Sequence, residues 1–121
     1  MIFHDENVLI VDTYNQDDVK FEVEYRDPIT TQLVDISPMA AIKVEIRPTR
    51  SRTSTLMGTI AIGNGVEFVN DSVLSFRLPK SLTDQFKKKK YFGDVRGDWH
   101  GQTVTFTRFV FNNTDISTDM P

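Results

Sequence analysis

In Val19-Lys20-Phe21-Glu22-Val23-Glu24-Tyr25-Arg26 every odd position is apolar and every even position is charged. Successive side chains of a β-strand point to opposite faces, so a strand here buries Val19, Phe21, Val23 and Tyr25 together and solvates the rest. A helix would scatter the same four residues around its circumference. A chain with this segment must therefore build a sheet with one dry face. The pattern returns in Ile42-Lys43-Val44-Glu45-Ile46-Arg47, which Pro48 ends by withdrawing a ladder donor. If these two strands pair, Glu22 and Glu24 meet Lys43 and Arg47, at about 0.2–1 kcal/mol per cross-strand pair.

Shorter apolar runs fill the rest of the chain. Val8-Leu9-Ile10-Val11 is continuous and β-branched, Leu56 to Ile62 runs into the turn cluster Gly63-Asn64-Gly65, and Val66 to Val69 is divided from Val73 to Leu78 by Asn70-Asp71. Leu82 and Phe86 stand one helical turn apart behind Ser81, which predicts a short helix near residues 81–88 with Ser81 as its N-cap and Lys87 to Lys90 at its C-terminal end. Two last strands are expected, Tyr91 to Arg96 and Thr103 to Phe111, joined by a hairpin loop over residues 97–102. Seven to eight short strands at spacings near ten residues predict an all-β sandwich rather than a βαβ fold. All 121 residues fit one domain, with ends (1–6 and 113–121) that are expected to be loose unless a partner holds them.

Composition narrows the chemistry. There is no cysteine, which removes disulfides and thiolate metal sites, and a net charge of −3 provides no global basic field for nucleic acid. Neither a signal peptide nor a membrane-length apolar run is read in the sequence. The two histidines, His4 and His100, have no nucleophile to serve. Glu22 and Glu24 share the solvent face of a regular strand, where a glycosidase needs carboxyls across a cleft. Asp17-Asp18 and the Asp94/Asp98 pair offer oxygens to calcium but follow no calcium-loop spacing. Lys87 to Lys90 and the group Arg47, Arg50 and Arg52 read first as solvated charge, and second as a contact for an acidic protein. No catalytic, cofactor-binding or metal-binding set is expected, and the chain reads as no enzyme.

One strand breaks its own rhythm. In Thr103-Val104-Thr105-Phe106-Thr107-Arg108-Phe109-Val110-Phe111, Val104 and Phe106 mark one face, and Phe109 and Phe111 fall on the other. Either a bulge at Thr107-Arg108 re-phases the strand and keeps the rings inside, or a neighbouring subunit covers the second face. The all-apolar run at Val8 poses the same question. Val8, Leu9, Ile10, Val11, Phe109 and Phe111 are thus the candidate interface residues. An alternative function, carbohydrate or ligand binding, would use Tyr91, Trp99 and His100 as a stacking platform.

The order of elements resembles small virion modules of tailed phages, of the type found as the Ig-like N-terminal domain of baseplate upper proteins. The resemblance lies in Gln16-Asp17-Asp18, Phe21 to Arg26, Val34-Asp35-Ile36 and Val44-Glu45-Ile46-Arg47-Pro48, then Leu74 to Leu78, Leu82-Thr83, Tyr91 to Val95 and Thr103 to Phe111. It spans roughly residues 14–112. Lys87 to Lys90 departs from the small-residue turn usual before the tyrosine strand, Trp99 is unusual in the hairpin, and no receptor-binding segment is read after residue 121. The resemblance implies an Ig-like antiparallel sandwich acting as an assembly or adaptor subunit of the tail, baseplate, collar or capsid surface. It further implies other virion proteins as partners, a symmetric homo-oligomer, location in the virion after synthesis in the host cytoplasm, and no nucleic-acid or membrane partner.

Overall fold

The computed structural model describes residues 8–14 and 17–114. Eight strands form: β1 (Val8–Tyr14), β2 (Val19–Glu24), β3 (Ala40–Arg47), β4 (Gly58–Ile62), β5 (Gly65–Asn70), β6 (Val73–Leu78), β7 (Lys90–Trp99) and β8 (Gln102–Thr114). One helical turn, α1 (Lys80–Thr83), links β6 to β7. Hydrogen bonding runs in the order β1-β8-β7-β3-β4-β5-β6-β2.

That series folds back on itself. Phe21 on β2 and Phe76 on β6 each place a ring centroid 5.1 Å from that of Phe109 on β8, although β8 lies near the opposite end of the strand order. The fold-over occurs at β4–β5, where the pairing shrinks to Ala61↔Gly65 and Ile62↔Val66. Gly65 is required at this corner. Its φ is +102°, and a Cβ there would lie 2.8 Å from the Ile60 Cβ and 2.9 Å from the Arg77 carbonyl oxygen. The result is two layers, β1-β8-β7-β3-β4 in front and β5-β6-β2 behind. The front layer carries the G-F-C-C′ arrangement and the back layer the D-E-B arrangement of an immunoglobulin-like sandwich.

The alternation of β2 and β3 is realised in full. Val19, Phe21 and Val23 turn inward, as do Ile42, Val44 and Ile46. The two strands do not pair, however; β2 lies against β6, and β3 between β4 and β7. The expected ladder of Glu22 and Glu24 with Lys43 and Arg47 is therefore absent, because the glutamates belong to one layer and the cations to the other.

The broken rhythm of β8 is a bulge one residue earlier than expected. Val95 pairs with Thr107 and Arg96 with Thr105, which leaves Phe106 as the extra residue. Phe106 and Thr107 both turn inward, Arg108 swings out, and Phe109 and Phe111 re-enter the core at 1% and 0% exposure. These two phenylalanines are thereby corrected from interface candidates to core residues. Val11 is half-buried and packs on the same core.

Three boundaries also shift. The helix is a single turn without the Ser81 cap. Asp18 Oδ1, from the turn before β2, instead accepts the Lys80 backbone N–H at 2.7 Å. The hairpin loop contracts from six residues to His100-Gly101, with Trp99 opposite Gln102. Both turn residues have positive φ, 49° and 84°, which matches the right-handed twist of the flanking strands. Asn113 and Thr114 belong to β8, and buried Asn113 accepts a hydrogen bond from Thr13 Oγ1 at 3.3 Å. The expectations for residues 1–6 and 115–121 lie outside the described residues.

An antibody domain pins its B and F strands with a disulfide over a strand-C tryptophan, and places a tyrosine two residues before the second cysteine. Tyr91 fills that tyrosine position here. Its buried hydroxyl accepts the Lys87 and Lys88 backbone N–H groups at 2.5 and 2.8 Å, fastening the link into β7. Two residues on stands Gly93, where a Cβ would come within 2.9 Å of Phe111 Cε2 and 3.2 Å of Val44 Cγ1. Phe111 occupies the space a cysteine side chain would need. With Phe21, Phe76 and Phe109 it forms an aromatic cluster with centroid spacings of 5.1–6.4 Å, which ties the two layers together by packing alone.

Candidate functional site

β1 is the last strand of the front layer, so one of its edges has no ladder partner among the described residues. It runs parallel to β8 in the register Val8↔Arg108 through Tyr14↔Thr114. Leu9, Val11 and Thr13 follow the inward residues of β8; Val8, Ile10 and Asp12 follow the outward ones. Yet Val8, Leu9 and Ile10 remain 40, 39 and 70% exposed. Edge strands that avoid association carry charged side chains, proline or a bulge; β1 carries one such charge, Asp12, and its Val8-Leu9-Ile10-Val11 stretch has none of these. β2, the terminal strand of the other layer, presents Lys20, Glu22 and Glu24 to solvent and is protected in that way.

Between these two edges lies a groove of about 480 Å³ lined in part by Val8, Leu9, Val23, Tyr25 and Thr107. Its floor is fixed by a hydrogen bond of 2.8 Å between the Tyr25 and Thr107 hydroxyls. Burial pushes the Tyr25 phenol well above its ordinary range, so it remains a neutral polar anchor.

The other predicted platform is not assembled. Tyr91 is 2% exposed, stacks on Phe86 at 4.2 Å, and has its hydroxyl engaged by backbone. Trp99 lies at the far end of β7, about 26 Å away at ~3.3 Å per residue. It is half-buried against the core, with its ring edge-on to exposed His100 at 4.7 Å. Three residues so divided offer a sugar no common surface. Among the described residues no group of three or more His, Asp or Glu side chains is placed to hold a metal ion. Asp18 is occupied as the helix cap, and Asp98 accepts the Thr103 hydroxyl at 3.0 Å.

A second feature appears only in three dimensions. The β3–β4 loop lays Arg50 over the Phe92 ring at 5.3 Å and brings Arg52 to Thr105 at 3.1 Å. Beside them on the outward front face, Glu45 lies 3.1 Å from Arg47 and 3.7 Å from Arg96; Asp94 lies 3.7 Å from Arg108 and 4.0 Å from Arg52. Burial works to raise Glu45, but the Arg47 hydrogen bond and the charges of Arg47, Lys43 and Arg96 outweigh it and hold the carboxyl below its ordinary range. Arg47, Arg50 and Arg52 form a recognisable group in the sequence. Their union with Arg96 and Arg108 depends on strand register, and no local signal reveals it.

No family model matches the sequence, and no curated protein matches it. Among solved structures the chain is similar to the NK cell receptor Nkp44, at 6% identity and a TM-score of 0.45 over 90% of this chain and 100% of that one. It is also similar to the extracellular domain of the voltage-gated sodium channel beta4 subunit, at 8% identity and a TM-score of 0.37 over 95% and 98% of the two chains. The Ig-like fold is defined by this chain's own strand order, and these distant likenesses carry nothing further.

Proposed function

We propose that this chain is a non-catalytic assembly module that joins neighbouring subunits through β1, and that its setting is the particle of a tailed phage. The observation that carries the assembly reading is the β1 edge, without a ladder partner among the described residues, with Val8, Leu9 and Ile10 exposed beside a groove of mixed apolar and polar lining. An open edge of this kind binds by continuing the sheet: main-chain hydrogen bonds give affinity, and alternate side chains give register. The phage setting is supported by the resemblance of residues 14–112 to baseplate-type modules.

Solution mass by light scattering tests the assembly. The wild-type chain is expected to self-associate at ~100 µM, in the range of weak to moderate affinities, and Ile10→Glu is expected to yield a folded monomer. A wild-type chain that stays monomeric at that concentration, with Ile10→Glu indistinguishable from it, overturns self-assembly through β1.

A further inference from the structure

We infer that the outward front face, centred on β3, β7 and β8, docks an acidic extended segment of a neighbouring protein. Six cations converge there from four separate stretches of sequence: Lys43, Arg47, Arg50, Arg52, Arg96 and Arg108. Three carboxylates, Glu45, Asp94 and Asp98, oppose them, so this face is positive on a chain whose net charge is −3. Attraction to an acidic partner is therefore local to this face, and the rest of the molecule repels one.

The carboxylates fix the arginines in place and do not neutralise them. Glu45 and Asp94 each serve two guanidinium groups, and three of those four contacts are 3.7–4.0 Å long, beyond hydrogen-bond length. The guanidinium groups consequently retain donors for a ligand. Two depressions lie beside these cations. One, of about 30 Å³ and mainly apolar, lies between Arg50 and Arg108 with Phe92 and Asp94 in its wall; the other, of about 360 Å³, lies between Lys43 and Arg96 with Asp98 in its wall. They meet β7 at Phe92–Asp94 and at Arg96–Asp98, roughly 13 Å apart at ~3.3 Å per residue. An extended chain with carboxylates several residues apart spans both. A nucleic-acid backbone suits this face poorly, because Glu45, Asp94 and Asp98 interrupt the positive charge that a continuous row of phosphates requires.

The test is fluorescence anisotropy of a labelled decaglutamate peptide with the full chain at low salt. Saturable binding is expected, weakened at least tenfold by Arg50→Glu and, independently, by Lys43→Glu, both exposed positions, with each variant retaining the wild-type circular-dichroism spectrum at the temperature of the assay. Lys88→Glu/Lys89→Glu, in the other basic run, is expected to leave binding intact, as is Ile10→Glu, which separates this surface from the β1 edge. The inference is overturned by no saturable binding, by loss in the lysine variant alone, by tighter binding of a labelled DNA duplex, or by displacement with millimolar inorganic phosphate.

Discussion

Tyr91 illustrates how far a single side chain's role departs from its residue type. An aromatic at a strand start near a lysine run reads as a surface ring, and only the turn of residues 87–90 around its hydroxyl makes it a buried strut. The legible signal was positional: a tyrosine two residues before a strand residue that faces its counterpart layer. Tyr91→Phe leaves the ring and removes the acceptor of two backbone N–H groups, so a loss of about 1–3 kcal/mol is expected in urea denaturation; a change below ~0.5 kcal/mol would show that water replaces the phenol. Gly93→Ala acts through volume instead. Its methyl must displace Phe111 or Val44, at an overpacking cost of about 1–3 kcal/mol.

Among elements, β2 and β3 were readable because one face is dry and one wet, and a period of two has no other physical cause. β8 was readable only as a contradiction. Its apolar residues lie on both sides of the alternation, and the choice between a bulge and a covered face depends on register with β7, which sequence does not encode locally. The bulge makes Phe109 a core residue. Phe109→Ala is accordingly expected to lower stability by about 3–5 kcal/mol while the folded fraction keeps its wild-type mass. A stable Phe109→Ala chain of reduced mass would return that ring to an interface. The cap of α1 was out of reach for a related reason: its acceptor, Asp18, is 62 residues from the Lys80 N–H it receives.

At the scale of the whole molecule, stability is tied to carboxylates held in their charged form. The Lys80 backbone hydrogen bond and then Arg77 lower Asp18; the Thr30 and Ile29 backbone N–H groups lower Asp27; the Ser37 hydroxyl and backbone N–H lower Asp35. With Glu45 lowered as well, the unfolded chain takes up more protons than the folded one as the pH falls. The contribution of these groups is present above the ordinary carboxylate range near ~4 and is lost as pH drops through their lowered values. Thermal melts from pH 7 to pH 3 are expected to show a falling midpoint below about pH 5; a midpoint that holds or rises would contradict these hydrogen bonds.

The parallel pairing of β1 with β8 has a mechanical meaning. Val8 stands beside Arg108 and Thr114 beside Tyr14, about 20 Å further along the same two strands at ~3.3 Å per residue. Tension applied between Val8 and Thr114 therefore pulls the two strands past each other and loads their hydrogen bonds together, where an antiparallel pair would open one bond at a time. A subunit held in a larger assembly at these two points would resist stretching as a lap joint does, through the full length of the overlap.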